Sequence, residues 1–245
     1  MFRHKGKNRT FIHNLRLATL LSFVAGIVNI TGVLSFKTLT TNVTGHFAFF
    51  AEEVMRKDFA AAITFLVFTL FFLLGAFIAN FISEFVAKTN PNLSHIFPIS
   101  LEILILLFVA FFGTSSNLIS LEGKSWSFAM LFAMGIQNSL VTKISQSTVR
   151  TTHLTGLFTD LGIELSQLFF YKKPEENKKL KTNIYLRISI IGFFFIGCVL
   201  GGFAFSLLEL KTLFIACFFL LIALLYDSIR LQYHLLKRRK NHSKD

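Results

Sequence analysis

The sequence predicts an all-α fold: a polytopic transmembrane helical bundle built from two tandem repeats, each with three long helices and one short broken or half-helix. Three observations carry this expectation. First, 53% of the 245 residues are hydrophobic, with 32 Phe and only 3 Pro, more apolar surface than a soluble domain of this size tolerates. Second, the apolar runs 60–82, 98–113, 188–208 and 210–226 approach or reach the about 20 residues that span a bilayer. Third, the chain repeats itself. Residues 24–29 (VAGIVN) match 133–138 (AMGIQN), residues 40–46 (TTNVTGH) match 151–157 (TTHLTGL), and residues 71–81 (FFLLGAFIANF) match 193–203 (FFFIGCVLGGF). Three blocks in one order point to duplication.

The elements follow in order. Long helices are expected over about 12–35, 58–86, 97–113, 125–144, 185–207 and 209–236, and short elements over about 44–56 and 155–171. The first repeat thus covers about 12–113 and the second about 125–236, together one membrane domain over 1–245. The basic N-terminus followed by an apolar run resembles a signal peptide, but residues 17–36 offer no small-residue cleavage site, so a retained first helix is expected. Each short element follows a hydroxyl-rich stretch, Ser35 to Thr41 and Ser145 to Thr152. Such side chains compete for backbone hydrogen bonds and make poor helix interiors. Thr44 and Thr155 read as N-caps, with Gly45 and Gly156 just inside. Non-helical backbone at membrane depth survives only where protein buries it or it lines a cavity.

The formal net charge is +12, gathered at the N-terminus, in the 172–187 loop and at the C-terminus. Without an aromatic-basic face or a soluble binding fold this excludes nucleic acid as a partner and reads as the positive-inside rule, with both termini cytoplasmic. Two topologies satisfy it. If the short elements cross, there are eight crossings and parallel repeats, with Arg56-Lys57 and 172–187 on one side. If they are re-entrant, there are six crossings and inverted repeats, with Lys88, Lys143 and Arg150 inside and Arg56-Lys57 outside. The charge count barely separates them, and the eight-crossing version is the expectation taken forward. Cys198 and Cys217 lie in apolar runs, with no disulfide framework or metal spacing.

Several residues are candidates for chemistry. Asn29 and Asn138 occupy one repeat position inside apolar helices, with Gln137 adjacent. An unpaired amide in hydrocarbon is costly, so they serve as solute ligands or as interhelical glue. The half-helix starts at Thr44-Gly45 and Thr155-Gly156 would present free N–H groups and a positive dipole end, with Lys37, Lys143 and Arg150 nearby to suit an anion. The alternative is that Thr and Gly serve capping and close packing. His46 and His153, in the two motifs, could relay protons or be held structurally. Glu53 and Glu164 are repeat-equivalent, and Asp160 shares a helix face with Glu164; intramembrane acids are ion-coupling candidates. Glu52 and Glu53 could instead pair with Arg56-Lys57, and Glu102 has no evident partner. Gly75-x-x-x-Ala79 and Gly197-x-x-x-Gly201 are small-residue faces for close helix packing.

The segment Ala133 to Asn138, followed by Arg150 to Gly156, resembles the second signature of the YoaK-like bacterial membrane proteins (domain of unknown function 1275). Gly26-Ile27-Val28-Asn29 and Thr44-Gly45-His46 resemble the first, with Asn29 where Asp is usual and His46 where Asn is usual. The resemblance implies a bacterial inner-membrane protein and supplies no activity.

No serine-hydrolase elbow, zinc motif, phosphate loop or Cys cluster appears, so neither an enzyme nor a cofactor or metal is expected. The functional expectation is a small secondary transporter or permease in the lipid bilayer. It would move a small polar or anionic solute through a site where the repeats meet. A non-transporting scaffold or subunit is the alternative, and a membrane-embedded lipid enzyme a weaker one. A homodimer is compatible with the size, but no residue pattern requires it.

Overall fold

The computed structural model describes residues 10–91, 93–114, 120–171 and 173–225, all of its regular structure helical. The helices are α1 (Phe11–Phe36), α2 (Val43–Met55), α3 (Phe59–Thr89), α4 (Ile96–Phe112), α5 (Leu121–Ser145), α6 (Leu154–Gln167) and α7 (Pro174–Leu208). A 3-10 turn at Glu209–Thr212 leads into α8, residues 213–225. Two boundaries differ materially from expectation. Helix α7 begins at Pro174, not near 185, because the basic stretch after Pro174 is a good helix former and Pro fits the first helical turn. The expected continuation of the last helix from 226 to 236 lies outside the described residues.

Among the described residues three stretches are long and apolar enough to cross a membrane: α1, α3 and the run Pro174–Leu225. Helix α5 is not among them. It carries Gln137, Asn138 and Lys143, and its buried positions include Met130, Leu131, Met134 and Ile136, so protein walls replace lipid around much of it. Helix α1 is central in the same way: 61% of its most apolar window is buried, against 28% for α3. The outward side of α3 and α7 shows Phe77, Phe81, Phe85, Phe195 and Phe203, a surface suited to acyl chains and unsuited to water.

Helix directions follow from side-chain pairs. Helices α1 and α7 run side by side in the same sense, with Phe11 beside Tyr185 and Gly26 against Phe194 and Gly197. Helices α3 and α5 do likewise, with Phe68 on Phe128, Gly75 on Phe132 and Glu84 paired to Lys143 at 2.8 Å. Helices α1 and α5 run oppositely: the Gln137 amide donates to the Leu21 carbonyl at 2.9 Å, and Thr38 meets Ser127 at 3.0 Å.

Helix α1 therefore ends, and α3 begins, at the same end of the bundle, with α2 between them. The same holds for α5, α6 and α7 at the other end. This overturns the eight-crossing expectation, since neither short helix carries the chain across the bundle. The physical cause lies at the ends of α1 and α5, which close on left-handed residues, Lys37 (φ 54) and Gln146 (φ 52). There Thr38 N–H reaches back to Gly32 O at 3.2 Å and Ser147 N–H to Thr142 O at 2.8 Å, the reversing C-cap pattern. A Cβ at Gly32 would overlap the returning Thr38 and Thr40.

At four glycines the helices pack backbone against backbone. A Cβ on Gly26 would overlap the Phe194 carbonyl, one on Gly197 the Phe23 carbonyl, one on Gly75 the Phe132 carbonyl, and one on Gly135 the Phe72 carbonyl. Small residues let helix backbones touch in this way. Alanine at Gly26, Gly75, Gly135 or Gly197 is expected to cost about 1–3 kcal/mol by overpacking. Alanine at Gly162 or Gly192, where a Cβ meets nothing within 4 Å, should be neutral or stabilising by up to about 1 kcal/mol. Thermal unfolding of the six variants in one detergent checks the contrast.

Candidate functional site

The returning segments after α1 and α5 are anchored by the paired asparagines. Thr41 Oγ1 donates to Asn29 Oδ1 at 3.0 Å, and Thr152 Oγ1 donates to Asn138 Oδ1 at 2.7 Å. Both amides are half-buried, and both bonds tie the returning segment to the long helix before it. Gln137, 1% exposed, ties α5 to α1 through Leu21 and keeps Oε1 unpartnered among the described residues.

The two short helices start differently. The expected caps, Thr44 and Thr155, lie inside the helices and are exposed. The caps are the residues before them, Asn42 and His153. Asn42 Oδ1 accepts from Gly45 N–H at 3.1 Å, so α2 begins satisfied. His153 makes no side-chain cap bond, and its ring lies over Gly156, where a Cβ would overlap it. Among the described residues the first N–H groups of α6 thus receive no side-chain cap.

Gly156 of this first turn and its cap residue His153 border a cleft of about 340 Å³, lined also by Ser147, Thr148, Arg150, Leu157, Asp160, Asn183, Leu186, Arg187 and Ile190. Its charged centre is Arg187 of α7. The guanidinium binds Glu164 through two bonds, Nε to Oε2 at 2.7 Å and Nη2 to Oε1 at 3.0 Å, and holds Asp160 Oδ2 from Nη1 at 3.0 Å. Glu164 is nearly buried, while half of the Asp160 side chain is exposed. A fork-to-fork arginine–carboxylate pair is strong and directional. The second arginine, Arg150, is exposed at the cleft wall.

Of the residues expected to carry function, the cleft gathers Arg150, His153, Gly156 and Asp160, with Glu164 behind Arg187. It does not gather Asn29, Thr44, Gly45, His46, Glu53, Gln137, Asn138 or Thr155. Every lining residue falls between 147 and 190, so the cleft lies within the second half, not where the halves meet. In the first half, His46 is 1% exposed, its Nε2–H donating to the Leu39 carbonyl at 2.7 Å. Its ring packs on Phe68 at 5.2 Å and Phe65 at 6.2 Å. By the register of the matched blocks, Phe65 stands where the second half has Arg187, and His46 where it has Leu157. Glu53, the counterpart of Glu164, meets Arg56 at 3.6 Å beside the Glu52–Arg56 pair at 2.6 Å. An aromatic cluster therefore occupies in one half what is a charged cleft in the other.

Arg187 and Asn183 were missed by sequence reasoning because they sit inside a basic stretch read as a loop. Arg187 is nonetheless flanked by Ile184, Tyr185, Leu186 and Ile188, and a lone cation in an apolar run is the signal that could have found it.

The family described as "Protein of unknown function (DUF1275)" matches residues 17–226, and the chain belongs to that family. No curated protein and no solved structure matches it.

Removing the guanidinium strands a nearly buried carboxylate. Arg187→Ala is expected to cost about 3–5 kcal/mol, whereas Asp160→Ala, removing the exposed partner, should cost less than about 1 kcal/mol. At the helix starts, Asn42→Ala should cost about 1 kcal/mol and His153→Ala nothing through capping. Unfolding midpoints of the four variants test both pairs.

Proposed function

We propose that this member of the DUF1275 family is a small secondary transporter that binds an anionic solute at the Arg150–Arg187 cleft. The observation that carries the reading is the meeting of an uncapped half-helix start with two arginines in one cleft. Open N–H groups and the positive end of a short helix favour an anion. Arg150 supplies charge that no carboxylate among the described ion pairs offsets, and the exposed Asp160 is the partner a solute would replace at Arg187 Nη1. His153, above Gly156, closes the cleft over the helix start.

The transporter reading is also supported by the arrangement of the halves. Under the matched blocks Gly26 corresponds to Gly135, Gly75 to Gly197, Phe23 to Phe132 and Phe72 to Phe194. The α1–α7 and α3–α5 contacts are then one contact made twice. Because α1 and α5 run oppositely, the repeats are inverted. The chain makes six crossings, and α2 and α6 enter from opposite faces. The basic start of α7 and the start of α1 lie at one end of the bundle, Phe11 beside Tyr185, and that end faces the cytoplasm of a bacterial inner-membrane protein. Discontinuous helices in inverted halves are a common plan for solute sites in transporters.

A second reading has its own observation. The Asn29–Thr41 and Asn138–Thr152 bonds act as staples, and the two motifs share no cleft, as expected of a membrane scaffold. Thermal unfolding against inorganic phosphate, sulfate and small mono- and dicarboxylates separates the readings. A ligand at a hundredfold excess over its dissociation constant adds about 2.7 kcal/mol. The transporter reading expects such a gain for at least one anion in wild type and its loss in Arg150→Ala. No gain for any anion, or an equal gain in the variant, favours the scaffold.

A further inference from the structure

Glu102 is the one carboxylate of α4, and it lies in an otherwise apolar helix between Leu101 and Ile103. It is fully buried, 0% exposed. Neither Oε1 nor Oε2 has a hydrogen-bond partner among the described residues. The Arg187 cleft makes no use of it.

The surroundings of Glu102 narrow what it can hold. The elements packed on α4 are α3, α5, the 209–212 turn and α8. Their titratable groups are Glu84 and Lys88 on α3, Glu122, Lys124 and Lys143 on α5, Glu209 and Lys211 in the turn, and Cys217 on α8. Glu84 and Lys143 are paired with each other, and Glu122 accepts from Thr114. Cys217 is the group beside Glu102, its thiol donating to the carbonyl of Ile103 at 3.8 Å. At the N-cap of α4, buried His95 precedes Glu102 by two turns on the same side. No cation thus sits against the carboxylate among the described residues.

A bare ionised carboxylate in such a place costs several kcal/mol or more. A metal ion would need several oxygen ligands, and no group of three His, Cys, Asp or Glu converges among the described residues. The ligand that satisfies a lone buried carboxylate is a proton. We propose that Glu102 is a proton-binding site in the bundle interior, held as the neutral acid while α4 and α8 are packed together. Opening that seam to water would let the proton leave to solvent and the carboxylate ionise. This inference does not depend on the anion cleft.

Infrared spectroscopy of the protein in lipid vesicles tests it directly, with the proton as the probe. A protonated carboxyl shows a C=O stretch separate from the bands of ionised carboxylates. The difference spectrum of wild type minus Glu102→Gln at neutral pH should contain that band, and it should shift on exchange into deuterium oxide. If Glu102→Gln does not fold, wild type alone decides: raising the pH should remove one such band reversibly while the amide bands stay unchanged. Carboxylate bands in place of the C=O stretch at neutral pH, or no such band lost on raising the pH, would overturn the proposal.

Discussion

Backbone-to-backbone contact at four glycines is the constraint on which the rest of the structure depends. At Gly26 and Gly197, and again at Gly75 and Gly135, each helix rests on a carbonyl of its neighbour with no space for a Cβ. Such contacts fix both the register and the direction of the helices that make them. They put α7 along α1 and α3 along α5, so each half lends its third helix to the first helix of the other. Helices α1 and α5 then meet in the middle, running oppositely, and the chain leaving each must turn back beside it. The left-handed ends at Lys37 and Gln146 provide the reversal, and the Asn29–Thr41 and Asn138–Thr152 bonds hold the returning segments in place.

The two ends of the molecule differ in chemistry. At one end Asn42 caps α2 and Phe65 and Phe68 close around His46. At the other, α6 is uncapped and Arg187 reaches two carboxylates beside the exposed Arg150. At the aromatic end His46 and Phe68 are buried and Phe65 half-buried, so opening it would expose apolar ring surface to water. A charged, solvent-lined end can exchange one ion-pair partner for another at small cost, since the exposed member of such a network contributes little. The proposed anion site accordingly lies at the charged end.

Much of this was legible in the sequence, and the gaps have physical causes. The Gly75-x-x-x-Ala79 and Gly197-x-x-x-Gly201 faces and the Thr-Gly blocks located part of the close contacts and the half-helices, because those features require particular residue types at particular spacings, whereas the bonds of Asn29 and Asn138 to Thr41 and Thr152 depend on where the chain turns back. The pairing of Asp160 with Glu164 followed from their helical spacing. The direction of the repeats did not follow, since the basic residues at 56–57, 143 and 150 balance under either topology. The caps were displaced by two residues because Thr44 and Thr155 have capping chemistry, but Asn42 and His153 hold the non-helical backbone positions. Arg187 was hidden by the polar start of α7, and the burial of Glu102 by the fact that burial depends on which helices close around α4.

The central claim is that the two halves are inverted, so that the turns following α2 and α6 lie on opposite faces of the membrane. Single cysteines placed by Lys57→Cys and Lys173→Cys, each in a chain also carrying Cys198→Ala and Cys217→Ala, test it with a membrane-impermeant maleimide on intact cells. The account predicts labelling from outside at position 57 and labelling at position 173 only after permeabilisation. Labelling of both positions from the same side would contradict it.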